Sequence, residues 1–150
     1  MTFAAIRPDS WDFPLFVHVA GAMLLVGALV VVTATMGAAL RRGDGVEVLA
    51  RLAFRTLLIG VIPAYVLMRG GAEWIASEEG VPGDLDWIGI GNDVADGGLL
   101  LTLIAVVLAW RAARRDVAGP GGLGRAVFVL AALLVLAYGI AIWAMAAKPA

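Results

Sequence analysis

"FPLFVHVAGAMLLVGALVVV", residues 13–32, is a run of twenty residues with no acid, lysine or arginine, and it carries the only histidine of the chain, His18. As a helix rising 1.5 Å per residue, twenty residues reach about 30 Å, the thickness of the hydrocarbon core of a bilayer. A cleaved signal has a shorter apolar centre and a basic flank. Here Asp9 and Asp12 stand against Arg7 just before the run, so it reads as a permanent membrane span.

The rest of the chain agrees with that reading. Of 150 residues, 62% are hydrophobic and only 15% charged, with a mean hydropathy of +0.95, a balance too apolar for an ordinary soluble domain. A net charge of -1 and the lack of a lysine-rich arm or of basic residues interleaved with aromatics argue against a nucleic-acid partner. The absence of cysteine removes disulfides, thiolate metal sites, iron–sulfur ligation and c-type haem attachment.

Four stretches have the length for a span, near 13–40, 50–74, 87–110 and 125–147. The first and last are clean. The second contains Arg55, Pro63 and Arg69, and the third opens on the polar "WIGIGNDVADGG". Short glycine-rich connections, "RRGDGVEV" and "RRDVAGPGGLG", make successive helices antiparallel. The expected fold is therefore one all-α domain covering residues 1–150, an up-down bundle of four transmembrane helices. Pro63 withdraws a backbone hydrogen bond and predicts a kink near residues 59–63. Small residues, Gly21, Ala22, Gly27 and Ala28 in the first span with Ala137, Gly139 and Ala141 in the fourth, predict close packing of helices.

Charge supplies a direction. Arg41, Arg42, Arg51, Arg55, Arg111, Arg114, Arg115 and Arg125, eight of the eleven basic residues, fall at one pair of connections. By the retention of such residues in the cytoplasm, both termini are expected outside a bacterial cytoplasmic membrane. Trp11, Trp74, Trp87 and Trp143 then lie at outer ends and Trp110 at an inner end, where amphipathic rings prefer to sit.

Ionisable groups inside a span are costly and are expected to face the interior of the protein. Counted inward from the nearest tryptophan at 1.5 Å per residue, His18 and Asp93 lie at about 10 and 9 Å, and Arg69 and Tyr138 at about 8 Å. Each helix thus supplies one polar group to a common layer. Asp96 shares the Asp93 face one turn deeper, and Glu73 is placed four residues from Arg69 to pair with it. His18, Arg69, Asp93, Asp96 and Tyr138 are the candidate ligand or proton site. Three readings stay open for His18: a packing histidine bonded to a neighbouring helix, a titrating group beside a carboxylate, or a metal or haem b ligand. One imidazole excludes bis-histidine ligation within a chain, but Met23, Met68 or Met145 would complete a His–Met pair. Copper or zinc on His18, Asp93 and Asp96 would have few soft ligands.

No HExxH, P-loop, GxSxG or post-strand GxGxxG is present, and one histidine without cysteine leaves the usual nucleophilic constellations unbuildable. A non-enzymatic accessory or small-ligand role without a resident cofactor is expected. The expected partners are the lipid bilayer and a second copy of the chain or another membrane protein.

The pattern H-V-x-G-A-x-x-x-V-G in "LFVHVAGAMLLVGALV" resembles the first helix of small bacterial four-span proteins, among them the copper-resistance protein D-like group. "FRTLLIGVIPAYVLMRGGAEWIASEEG" and "WIGIGNDVADGGLLL" are similar to uncharacterised membrane proteins of actinobacterial type. The resemblance implies a four-helix membrane protein. Members of the copper-related group thought to handle metal or haem carry further histidines on other helices; here only His18 matches.

Overall fold

The computed structural model describes residues 9–41, 46–79, 86–114 and 121–147. Apart from a 3₁₀ turn at Asp9–Trp11, these residues form α1 (Asp12–Arg41), α2 (Val46–Thr56), a π-helical turn (Leu57–Val61), α3 (Ile62–Glu79), α4 (Asp86–Arg114) and α5 (Gly122–Ala147). The protein is all-helical, with no strand among the described residues. Helices α2 and α3 run on through the π turn as one rod, so four rods pack together.

Three helices are long and apolar enough to cross a membrane: Asp12–Arg41, Ile88–Arg114 and Gly122–Ala147, of 30, 27 and 26 residues. The expected fourth, at 50–74, is not among them, for two reasons. The π turn cuts the stretch, leaving α2 with 11 residues. The 18 residues of α3 then carry Arg69, Glu73, Glu78 and Glu79, each costly in hydrocarbon.

The π turn stands where Pro63 was expected to disturb the helix. Proline has no N–H to return to the preceding turn, and its ring crowds the carbonyl four residues back. The chain responds by widening: Ile62 N–H bonds to Leu57 O, five residues back, the signature of a π-bulge inside a helix.

Helix contacts define the register. Gly21 lies against Met68, Gly71 against His18 and Gly60 near Ala28, so α1 and the α2–α3 rod run antiparallel. Gly91 meets the Met145 methyl and Gly98 the Tyr138 hydroxyl, which makes α4 and α5 antiparallel too. At the other end Gly37 meets Phe128 and Gly124 meets Met36, joining α1 to α5. Leu25, Leu29, Val32, Met36, Leu57, Val61, Val127 and Leu134 fill the shared centre, all at most 1% exposed. Helix α4 meets the second rod mainly through α2, and α3 diverges from it.

The two ends of the assembly differ. One, which we call the histidine end, gathers the start of α1, the end of α3, the start of α4 and the end of α5. It carries Trp11, Trp74 and Trp143, with Phe13 edge-on to Trp74 at 5.7 Å. The arginine end carries Arg41, Arg51, Arg55, Arg111, Arg114 and Arg125. There the Arg114 guanidinium lies 4.4 Å from the centre of the Trp110 ring, a cation–π contact. The expected Trp87 position is in α4, but its side chain lies outside the described residues, as do Arg42 and Arg115.

The closest helix approach is between α1 and α3. A Cβ on Gly21 would collide with the backbone nitrogen of Met68, and one on Gly71 would lie 2.5 Å from the backbone nitrogen of His18. Backbone cannot give way as a side chain end can. Gly27 and Gly139, also expected to pack, face open space instead. Gly21→Ala and Gly71→Ala should therefore each destabilise the protein by about 1–3 kcal/mol, the range for overpacking. Gly27→Ala and Gly139→Ala should gain up to about 1 kcal/mol from helix propensity. Unfolding in mild detergent, followed by circular dichroism, separates the two pairs.

Candidate functional site

His18 owes its position to this seam. With Gly71 beside its backbone, the imidazole reaches α3 directly, and Nδ1 lies 2.8 Å from Met68 O. A carbonyl can only accept, so Nδ1 carries the proton and donates. The Nε2 of the neutral ring is then left with its lone pair.

His18 lines a cavity of about 60 Å³ enclosed by all four rods at the histidine end. Its walls come from Ala22, Leu25 and Val26 of α1, Met68, Arg69 and Ala72 of α3, Gly91, Asn92 and Ala95 of α4, and Tyr138, Ala141, Ile142 and Met145 of α5. The deepest lining positions on each helix are Val26, Met68, Ala95 and Tyr138. Below them the apolar centre closes the space. Pockets for drug-sized molecules occupy about 300–1,000 Å³, whereas one water needs only about 10–15 Å³ of such space. The cavity has the room of a few waters or a single ion.

Arg69 bridges the divergence of α3 from α4. Its Nη1 donates to Asn92 Oδ1 at 2.7 Å, while Nη2 lies 2.9 Å from Glu73 Oε1 and 3.7 Å from Asp96 Oδ1. Its side chain is 28% exposed against 66% and 69% for the two carboxylates, so the cation is sheltered and its counter-charges face outward. One guanidinium against two carboxylates leaves this cluster with a single negative charge. The long arginine stem lets the charge reach polar partners from a mostly apolar helix.

The polar layer expected from depth is thus partly assembled. His18, Arg69 and Tyr138 line one cavity, and Asp96 joins through Arg69. Asp93 is exposed and outside the lining. His18 and Asp93, expected in one layer, do not meet: Asp93 stands on the exposed side of α4, while His18 bonds to Met68 O. The Arg69–Glu73 pair forms as its four-residue spacing implies. Asn92 was not singled out from the sequence. Its signal was present: it stands four residues before Asp96, on the same helical face. Among the described residues there is no group of three His, Asp or Glu side chains disposed to hold a metal ion. Met68 and Met145 do line the cavity with His18, while Met23 is 71% exposed on the outer surface.

No protein family, curated protein or solved structure matches this chain. What the site does has to be read from its own chemistry.

Energetic coupling tests the geometry. Arg69→Met and Asn92→Ala should couple by about 0.5–1.5 kcal/mol, within the range for polar contacts between membrane helices. Arg69→Met and Asp93→Ala should be additive. Detergent unfolding of both double-mutant cycles gives the comparison; coupling to Asp93 as large as that to Asn92 would contradict the arrangement.

Proposed function

We propose that the chain is a four-span protein of a bacterial cytoplasmic membrane, a four-helix bundle with both termini outside, and that its His18 cavity takes up a proton or a small polar ligand. Three features support the topology: three helices of spanning length, a second rod that parallels them despite its charges, and the arginine-rich end opposite the histidine end. The charged part of α3 lies at the histidine end, where Trp74 and the exposed Glu73 and Glu78 suit an interface. Its cost in hydrocarbon is thereby reduced. The role we propose is that of an accessory or small-ligand protein.

The observation that carries the ligand reading is the convergence on one small cavity of His18, the sheltered Arg69 cation and the buried Tyr138. Polar residues are expensive at this depth and concentrate where a membrane protein handles protons or solutes. A cavity of this size favours the smallest ligands. The single imidazole makes the test direct: proteoliposomes of the parent protein should take up protons, read with a trapped pH-sensitive dye, faster than those of His18→Ala. Equal rates in the two would overturn proton handling.

A second reading is metal handling, in line with the resemblance to the copper-resistance group. It is favoured by Met68 and Met145, whose thioethers share the cavity with His18. An imidazole with two thioethers is a soft donor set of the kind that selects Cu(I). On this reading reconstituted protein binds one Cu(I), and His18→Ala, Met68→Leu and Met145→Leu each weaken binding. Undiminished binding in all three variants would remove it.

Orientation has its own test. The chain lacks cysteine, so single cysteines at Ser77 of α3 and at the exposed Gly121 before α5 can be labelled in intact cells with an impermeant maleimide. Ser77→Cys should label and Gly121→Cys should not; the reverse pattern inverts the topology.

A further inference from the structure

Two hydroxyls in the helical core have no protein partner, Tyr138 Oη and Thr102 Oγ1, on residues only 4% and 1% exposed. Thr33 of α1 illustrates the ordinary alternative: its Oγ1 donates to Leu29 O, four residues back, at 2.9 Å. The equivalent acceptor for Thr102 is Gly98 O. That bond is not made, so the Thr102 hydroxyl is offered to something other than its own helix.

Tyr138 arrives at the same place from α5. A Cβ on Gly98 would lie 2.5 Å from its hydroxyl oxygen, so the phenol occupies space that only glycine leaves. Gly98 and Thr102 belong to one buried stripe of α4, with Gly91, Ala95, Ala105 and Ala109. They are one turn apart, about 6 Å along the axis. Side chains on a helix lean toward its N-terminus, which tilts the Thr102 hydroxyl back toward the Gly98 level. One water forming two hydrogen bonds of about 2.8 Å each joins oxygens about 4.5 Å apart, a reach that the lean of Thr102 toward Gly98 brings within range.

We propose that an internal water joins α4 to α5 by bridging Tyr138 Oη and Thr102 Oγ1. Two isolated buried hydroxyls would each carry the cost of an unmet hydrogen bond, and one shared water relieves both. The water enters from the His18 cavity, of which Tyr138 is a deep wall. Beyond it Leu29, Val32, Leu57, Val61, Val127 and Leu134, all fully buried, seal the path toward the arginine end. The site stands whatever ligand the cavity above it takes.

Equilibrium unfolding of Tyr138→Phe, Thr102→Val and the double variant in detergent decides the matter, because dry and hydrated hydroxyls respond with opposite sign. With a shared water, each single variant lowers the folding constant about fivefold, the worth of a typical hydrogen bond. The double variant then falls little further. A dry pair gives singles that are more stable than the parent. Additive effects of either sign overturn the proposal. Thr102→Ser loses a buried methyl and some stability with it, but it retains the hydroxyl, so its coupling to Tyr138→Phe should match that of the parent threonine, which separates loss of the bridge from loss of packing. As a readout independent of folding, a high-resolution crystal structure should contain an ordered water within hydrogen-bonding distance of both oxygens. Its absence from the parent protein would overturn the proposal.

Discussion

Where α1 crosses α3, the two backbones lie as close as side-chain-free positions allow, and the rest of the histidine end is arranged around that approach. Gly21 faces the backbone of Leu67 and Met68, and Gly71 faces that of His18. Only at this separation does the imidazole reach Met68 O. Lipid tails are as apolar as the side chains between helices, so association in a membrane rests on contact and hydrogen bonding rather than on expelling water. The crossing supplies both. It also fixes the proton of the ring on Nδ1 and sets His18 in the wall of the cavity.

Close packing on one side of α3 is matched by divergence on the other. The gap between α3 and α4 is spanned by the longest side chain at hand, that of Arg69, which satisfies itself on Asn92, Glu73 and Asp96. The π turn beneath it is the backbone counterpart of the same divergence. Pro63 leaves the helix one donor short, and the i→i+5 bond from Ile62 to Leu57 re-forms the ladder around that loss.

Much of this was legible in the sequence, for identifiable reasons. Long uncharged runs specify helices of membrane length without any knowledge of neighbours, and the arginines and tryptophans sort the ends. Depth along a helix can be counted, which is why His18, Arg69 and Tyr138 were found at one level. The angle around a helix is harder to count, since it depends on which neighbour each face meets. That is why Asp93 was counted into one layer with His18 when the exposed side of α4 holds it. Glycine content alone did not separate Gly21, which is pressed against backbone, from Gly27, which touches nothing. The second stretch was apolar enough to suggest a span, yet Pro63 and four charges divide it into pieces of different character.

The seams also fall in a particular order along the chain. Gly21 and Gly71 join the first two rods, and Gly91 and Gly98 join the last two, so these four tightest glycine contacts among the described residues lie inside helical hairpins made of neighbours in sequence. The cavity lies between the hairpins, with lining residues from both. In a bilayer, where helices insert before they associate, each hairpin is able to pack soon after it is made, and the cavity exists only once the two have docked. Docking and occupancy are then thermodynamically linked. An occupant contacting both halves acts as mortar, and the strength with which it is held becomes part of the strength with which the halves hold each other.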